Sequence, residues 1–206
     1  LKKQNLFKNE WMALGKSAYI PFLVDVLLIM YCRLFENQRI ISIALQAVLP
    51  VVAAWWCIIC FYNLVEEDGN EVFFSYPINR WWIGIGRCLS FYMLYIITIY
   101  IIILLCGVDI VIIKSVFIQL IIQSFFYVSL GFMLVLITTN TGVSIGLVIG
   151  YCTFQLLSQG KVLSFINIYN FGSQPQTIET GIYIVLLSLV FLVIGQFLIL
   201  KRFKFM

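Results

Sequence analysis

Long apolar runs set the limits on what this chain can become. A bilayer-spanning α-helix needs about 20 mostly apolar residues, because it rises about 1.5 Å per residue across a hydrocarbon layer about 30 Å thick. The sequence offers six such runs, at residues 17–35, 40–64, 88–108, 115–137, 142–157 and 181–200. Charged residues make up 11% of the chain, against about 25% in a soluble domain, too few to coat a water-facing surface. The expected fold is an all-α polytopic membrane protein: six transmembrane helices, an amphipathic N-terminal helix and a short cytoplasmic coupling helix. The connections leave no room for a hidden catalytic domain.

Composition also excludes chemistry. There is no histidine, which removes His-based metal sites, Ser-His and Cys-His catalysis, and a His proton relay. The basic residues sit at span ends and not on one patch, so nucleic acid is not an expected partner. All six cysteines (Cys32, Cys57, Cys60, Cys88, Cys106, Cys152) fall in or beside apolar runs. The Cys57-Ile-Ile-Cys60 spacing has a redox look, but inside a helical span it reads as two small apolar side chains, since buried structural cysteines are inert.

Residues 1–16 carry Lys2 and Lys3, then Phe7, Trp11 and Leu14 on one helical stripe, with Lys8, Glu10 and Lys16 off it. That pattern fits an amphipathic helix in the interface plane, or a plain N-terminal anchor. The stretch is too long and polar to read as a cleaved signal peptide. Orientation follows from the basic residues. Nine of them (Lys2, Lys3, Lys8, Lys16, Arg80, Arg87, Lys201, Arg202, Lys204) share the side of the termini, and four (Arg33, Arg39, Lys114, Lys161) face the other. The termini and the 65–87 connection are therefore expected in the cytoplasm, and the 158–180 connection outside. The latter contains Phe165, Ile166, Ile168, Tyr169 and Phe171, too apolar for a freely solvated loop.

The most detailed polar interruption runs from Glu66 to Arg87. Glu66, Glu67, Asp68 and Glu71 surround Gly69, which permits a backbone turn that other residues resist. Glu71 suits the positive end of a helix dipole. Val72, Phe73, Phe74 and Tyr76 then give about one turn an apolar surface, which Pro77 ends. Such an aromatic knob, flanked by acids and Arg80, has the shape of an insert for a cleft on a cytoplasmic partner. The other reading is an interfacial loop, with Trp81 and Trp82 as aromatic-belt residues.

The acid-Gly-acid pattern, followed by Ser75-Tyr76-Pro77-Ile78-Asn79-Arg80 and Gly86-Arg87, resembles the cytoplasmic signature of ABC-2 type transporter permeases. Asn79 stands where that family usually has Ser, and Arg87 where Lys is common. The six-span order, the N-terminal helix and the long external segment before the last span are similar too, so the resemblance covers the whole chain. It implies an exporter half in a bacterial cell membrane, working as a homodimer or heterodimer with two separate ABC ATP-binding subunits. ATP and magnesium would sit on those subunits, because this chain lacks a GxxxxGK[ST] phosphate loop; no cofactor, metal or catalytic residue is expected here. Glu66, Glu67, Gly69, Glu71, Phe73, Phe74, Pro77 and Arg80 would couple nucleotide-driven closure to the spans. The implied cargo is an amphipathic peptide (a toxin, bacteriocin or antimicrobial peptide) or a hydrophobic drug.

Further polar residues lie inside the spans. Asp25 sits mid-span, where an acid costs roughly 2.5 to 3.5 kcal/mol on insertion scales; it marks a cavity-facing site or a packing contact. Gln46, Gln119, Gln123, Ser124 and Gln155 could line a path, but hydrogen bonding between helices is the commoner use. Gly142, Gly146 and Gly150 form a small-residue ridge. By resemblance the second and fifth spans face the dimer path, which makes Trp55, Trp56 and Gln155 substrate-path candidates alongside Asp25 and Gln46. A non-transport membrane protein, either an intramembrane enzyme or a structural factor, is the alternative. An enzyme would need convergent groups that Asp25 and Asp109, at different depths, do not supply.

Overall fold

Helix is the only regular backbone structure among the described residues, which in this computed structural model are 11–35, 37–66, 80–106, 110–158 and 178–202. Six helices are long and apolar enough to cross a membrane: Trp11–Leu34, Ile40–Cys60, Trp82–Leu105, Lys114–Thr138, Thr141–Ser158 and Gly181–Lys201. They are numbered here as spans one to six. A helix suits such a sequence because it satisfies every backbone N–H and C=O within its own segment.

The second and fourth spans are the most buried and pack on each other, while the other four flank them. Leu45, Leu49, Ala54 and Ile58 of the second are fully buried, as are Leu120, Val128, Phe132 and Val135 of the fourth. The sixth span also lies against the fourth. Its Gly195 makes that approach possible, since a Cβ there would stand 2.5 Å from the Phe132 ring. Exposed surfaces are apolar, with Leu23, Met30, Met93, Ile97, Phe154 and Val193 all facing outward. Glutamine and serine side chains instead turn inward, among them Gln123, Ser124, Gln155, Ser188 and Gln196. Apolar outside and polar inside is the arrangement that a lipid environment favours.

Three boundaries differ from the sequence expectation. The first span begins at Trp11 instead of residue 17: a helical turn leads into a 3₁₀ stretch, Gly15–Tyr19, and then into Ile20–Leu34. Gly15 takes the left-handed conformation at φ +55° and bends the chain there. Trp11 and Leu14, placed on an interfacial stripe by the sequence, pack against the core. The second span ends at Cys60, and a short helix, Tyr62–Val65, follows. The third helix takes in Arg80 and Trp81 ahead of its span, so helix begins at Arg80 and not near residue 88. Arg87 enters the bundle because its guanidinium lies over the Phe61 ring, 5.9 Å from the centroid, a cation–π contact that offsets its burial. The expected coupling helix, most of the N-terminal amphipathic helix and nearly all of the 158–180 connection lie outside the described residues.

Candidate functional site

One end of the bundle carries the two places where the acid-rich segment joins the spans. Leading into it, Glu66 follows the short helix Tyr62–Val65. Its carboxylate accepts hydrogen bonds from both the backbone amide and the hydroxyl of Thr141, the latter at 2.8 Å. Thr141 opens the fifth span. The first turn of any helix leaves its N–H groups without intrahelical partners, and its dipole favours a negative charge. Here Glu66 takes the amide of Thr141, while the Asn140 side chain takes that of Val143 at 2.8 Å. The fifth span is thus capped partly from its own chain and partly from the end of the second.

The other junction is made by Gln196 of the sixth span. Its Oε1 accepts the Ile85 N–H at 3.1 Å, and its Nε2 donates to the Arg80 carbonyl at 3.2 Å. Between those positions, Trp82–Gly86 forms a π-helical turn. In such a turn the amide reaches back five residues, and Arg80 to Ile85 is a step of five. The side-chain amide of Gln196 therefore stands in the backbone ladder where a peptide group would close it. Gly84 permits the insertion, since a Cβ there would lie 2.1 Å from Gln196 Oε1.

Beneath these junctions the helices are tied by sulfur and aromatic contacts. Cys57 and Cys88, on the second and third spans, bring their sulfurs to 3.0 Å, and both are buried. Cys57 thus meets a cysteine of another span in addition to its neighbour in the Cys57-Ile-Ile-Cys60 pattern. Trp11 stacks on Phe91 with centroids 6.3 Å apart and meets Trp56 edge-on at 5.9 Å. Trp56 donates its indole N–H to the Ala18 carbonyl at 3.0 Å and packs on Tyr95 at 5.5 Å. Tyr95 in turn donates to Asp25 Oδ1 at 3.1 Å. Asp25 is 5% exposed, and its second oxygen has no partner among the described residues. One polar and aromatic cluster therefore joins the first three spans.

The remaining substrate-path candidates lie elsewhere. Gln46 donates to Ser42 at 3.1 Å within the second span. Nearby, Cys152 of the fifth span donates to the Ala47 carbonyl at 3.5 Å. Gln155 is fully buried, with Nε2 at 3.4 Å from the Tyr151 hydroxyl. Tyr151 packs on Phe126 and Tyr127 of the fourth span. Trp55 is half-buried, and its indole N–H has no partner among the described residues. Asp25 and Trp56 thus share a cluster that includes neither Gln46 nor Gln155.

Of the expected coupling residues, Glu66 and Arg80 are described, one at each edge of the segment, Glu66 held by its carboxylate and Arg80 by its backbone carbonyl. Glu67, Gly69, Glu71, Phe73, Phe74 and Pro77 lie outside the described residues. The sequence reading missed Thr141, Gly84, Gln196 and Tyr95. Gln196 left a signal: it is the sole amide side chain in the helix Ile178–Arg202 and directly follows a glycine. Among the described residues, no three His, Cys, Asp or Glu side chains gather as a metal site. No family model, curated protein or solved structure matches the chain.

Proposed function

We propose that this chain is the membrane-spanning subunit of an ATP-driven exporter of the ABC-2 permease type, and that residues 66–80 receive the stroke of separate ATPase subunits. One observation carries the reading. Glu66 holds the start of the fifth span, and Gln196 of the sixth span holds Arg80 and Ile85. A segment that only turned the chain between two spans would have no need of side-chain clamps to two others. Tied this way, a push on residues 67–79 is delivered to the fifth and sixth spans as well as to the second and third.

In this reading the termini and the segment face the cytoplasm of a bacterial cell, as the distribution of Lys and Arg favours. ATP and magnesium bind the partner ATPases, and this chain contributes a docking surface and a path. Two copies, or this chain with a similar one, enclose the path, and the neutral, apolar character of the spans suits an amphipathic peptide or a hydrophobic drug as cargo. The intramembrane Asp25, with a Tyr95 hydroxyl on one oxygen, belongs to the packing of spans one to three.

The test is uncoupling. Glu71→Ala and Arg80→Ala are expected to leave the protein in the membrane and the partner's ATPase running, while transport is lost. Wild-type transport in both variants would sink the coupling assignment.

A further inference from the structure

The π-helical turn Trp82–Gly86 and Gln196 have the parts of a register latch. In an α-helix the Ile85 N–H would pair with the Trp81 carbonyl, and the Arg80 carbonyl with the Gly84 N–H. Past the turn the Arg87 N–H is shared between the Gly84 carbonyl and the Trp82 carbonyl, the latter five residues back. Gln196 supplies the acceptor for Ile85 and the donor for Arg80. One residue more than an α-turn is thereby accommodated at the entry to the third span. Kinks and bulges of this kind arise where a side chain inserts into the backbone ladder. Both ends of the Gln196 amide are used, it is 2% exposed, and only glycine at 84 leaves it room.

We propose that Gln196 is the positioning residue that sets the register with which Arg80 and Trp81 lead into the third span, and that its withdrawal closes the turn to α-helix. In the α-helical state Arg80 O and Ile85 N stay satisfied, by Gly84 N and Trp81 O, while the Gln196 amide gives up both of its partners. Closing the turn moves the chain before it by one helical position. That is a rotation of about 100° and a shift of about 1.5 Å, from 3.6 residues per turn. Arg80 and Trp81 then swing relative to the sixth span, while the helix beyond Arg87 stays in place. The inference rests on the docking reading only for what would drive the switch; the two registers belong to this chain alone.

The experiment uses the full chain in lipid nanodiscs without any ATPase subunit. Nitroxide labels replace Arg80 and Lys201, both exposed, and pulsed electron–electron double resonance measures the distance between them. The six native thiols are buried, so labelling is directed to the introduced positions. A second pair, at Met93 and Leu189, reports on the third and sixth spans away from the turn; both positions are exposed. Gln196→Leu removes the inserted amide at similar volume, and Gly84→Ala fills its seat. A side chain on a helix about 10–12 Å across moves about 8 Å in a 100° rotation. Both variants are therefore expected to move the 80–201 distance by several ångströms to one common value, with the 93–189 distance unchanged.

An 80–201 distance equal to that of the parent in Gln196→Leu would overturn the latch. A change that appears equally in both pairs would overturn it too, because the effect would then be global and not a local change of register. Neither outcome bears on whether ATPase subunits bind, so this inference and the exporter reading can fail separately.

Discussion

Glu66 and Thr141, 75 residues apart in sequence, meet where the short helix Tyr62–Val65 ends and the fifth span begins, the carboxylate accepting from both the amide and the hydroxyl. The contact is a helix cap supplied by another helix. It makes the start of the fifth span sensitive to the position of the acid-rich segment.

Glu66→Ala is therefore expected to cost about 1 kcal/mol of stability, the ordinary loss for an N-cap. Thr141→Ala should cost less, because it removes the hydroxyl and leaves the amide bond to Glu66 in place. Thermal unfolding of the two variants in nanodiscs checks the order. Equal losses would mean that the hydroxyl bond carries the contact, and no loss in Glu66→Ala would mean that the cap contributes nothing.

Asp25 and Tyr95 form a buried pair in which the acid has one donor among the described residues. Tyr95→Phe strips that donor and leaves the carboxyl group unsatisfied, which costs about 1–3 kcal/mol. Replacing both members, Asp25→Leu with Tyr95→Phe, should be milder than Tyr95→Phe alone, because no orphaned polar group remains. A double-mutant cycle read by thermal unfolding measures the coupling. Additive losses would contradict a direct interaction.

How much of this was legible beforehand follows from the range of each interaction. The spans are local: about 20 apolar residues in a row announce a helix whatever surrounds them, and the six predicted runs and six observed helices agree to within a few residues except at the starts of the first and third and the end of the second. The third span was expected to start near residue 88, whereas the helix already runs from Arg80. The packing of Arg87 over Phe61 is a tertiary contact with no local trace. Thr141 could not be paired with Glu66 from sequence for the same reason. Gln196 could have been noticed, since an amide alone in an apolar span needs a partner somewhere, but the sequence does not say that the partner is the backbone of a π-turn.

Cys57 and Cys88 test the packing of the second span on the third. Their sulfurs stand 3.0 Å apart and need to close to about 2.05 Å to bond. A diazenedicarboxamide takes two hydrogens from the two thiols, becoming the hydrazine as the S–S bond forms. Peptide mapping under non-reducing conditions is expected to find Cys57 joined to Cys88, in Cys60→Ser as well as in the parent. A bond from Cys57 to Cys60 in the parent, with none to Cys88, would contradict the observed pairing of the spans.

As proposed, this chain works as a permease moved by separate ATPases. Mild purification of the tagged chain from its native membrane, followed by intact mass measurement of the complex, tests it most directly. The account predicts a mass of two copies of this chain, or of this chain and a similar one, together with two ATP-binding subunits, and loss of those subunits when Phe73 and Phe74 are both changed to Ala. A chain that comes out alone, and that added ATP-binding subunits do not bind, would contradict it and reduce residues 66–80 to a loop.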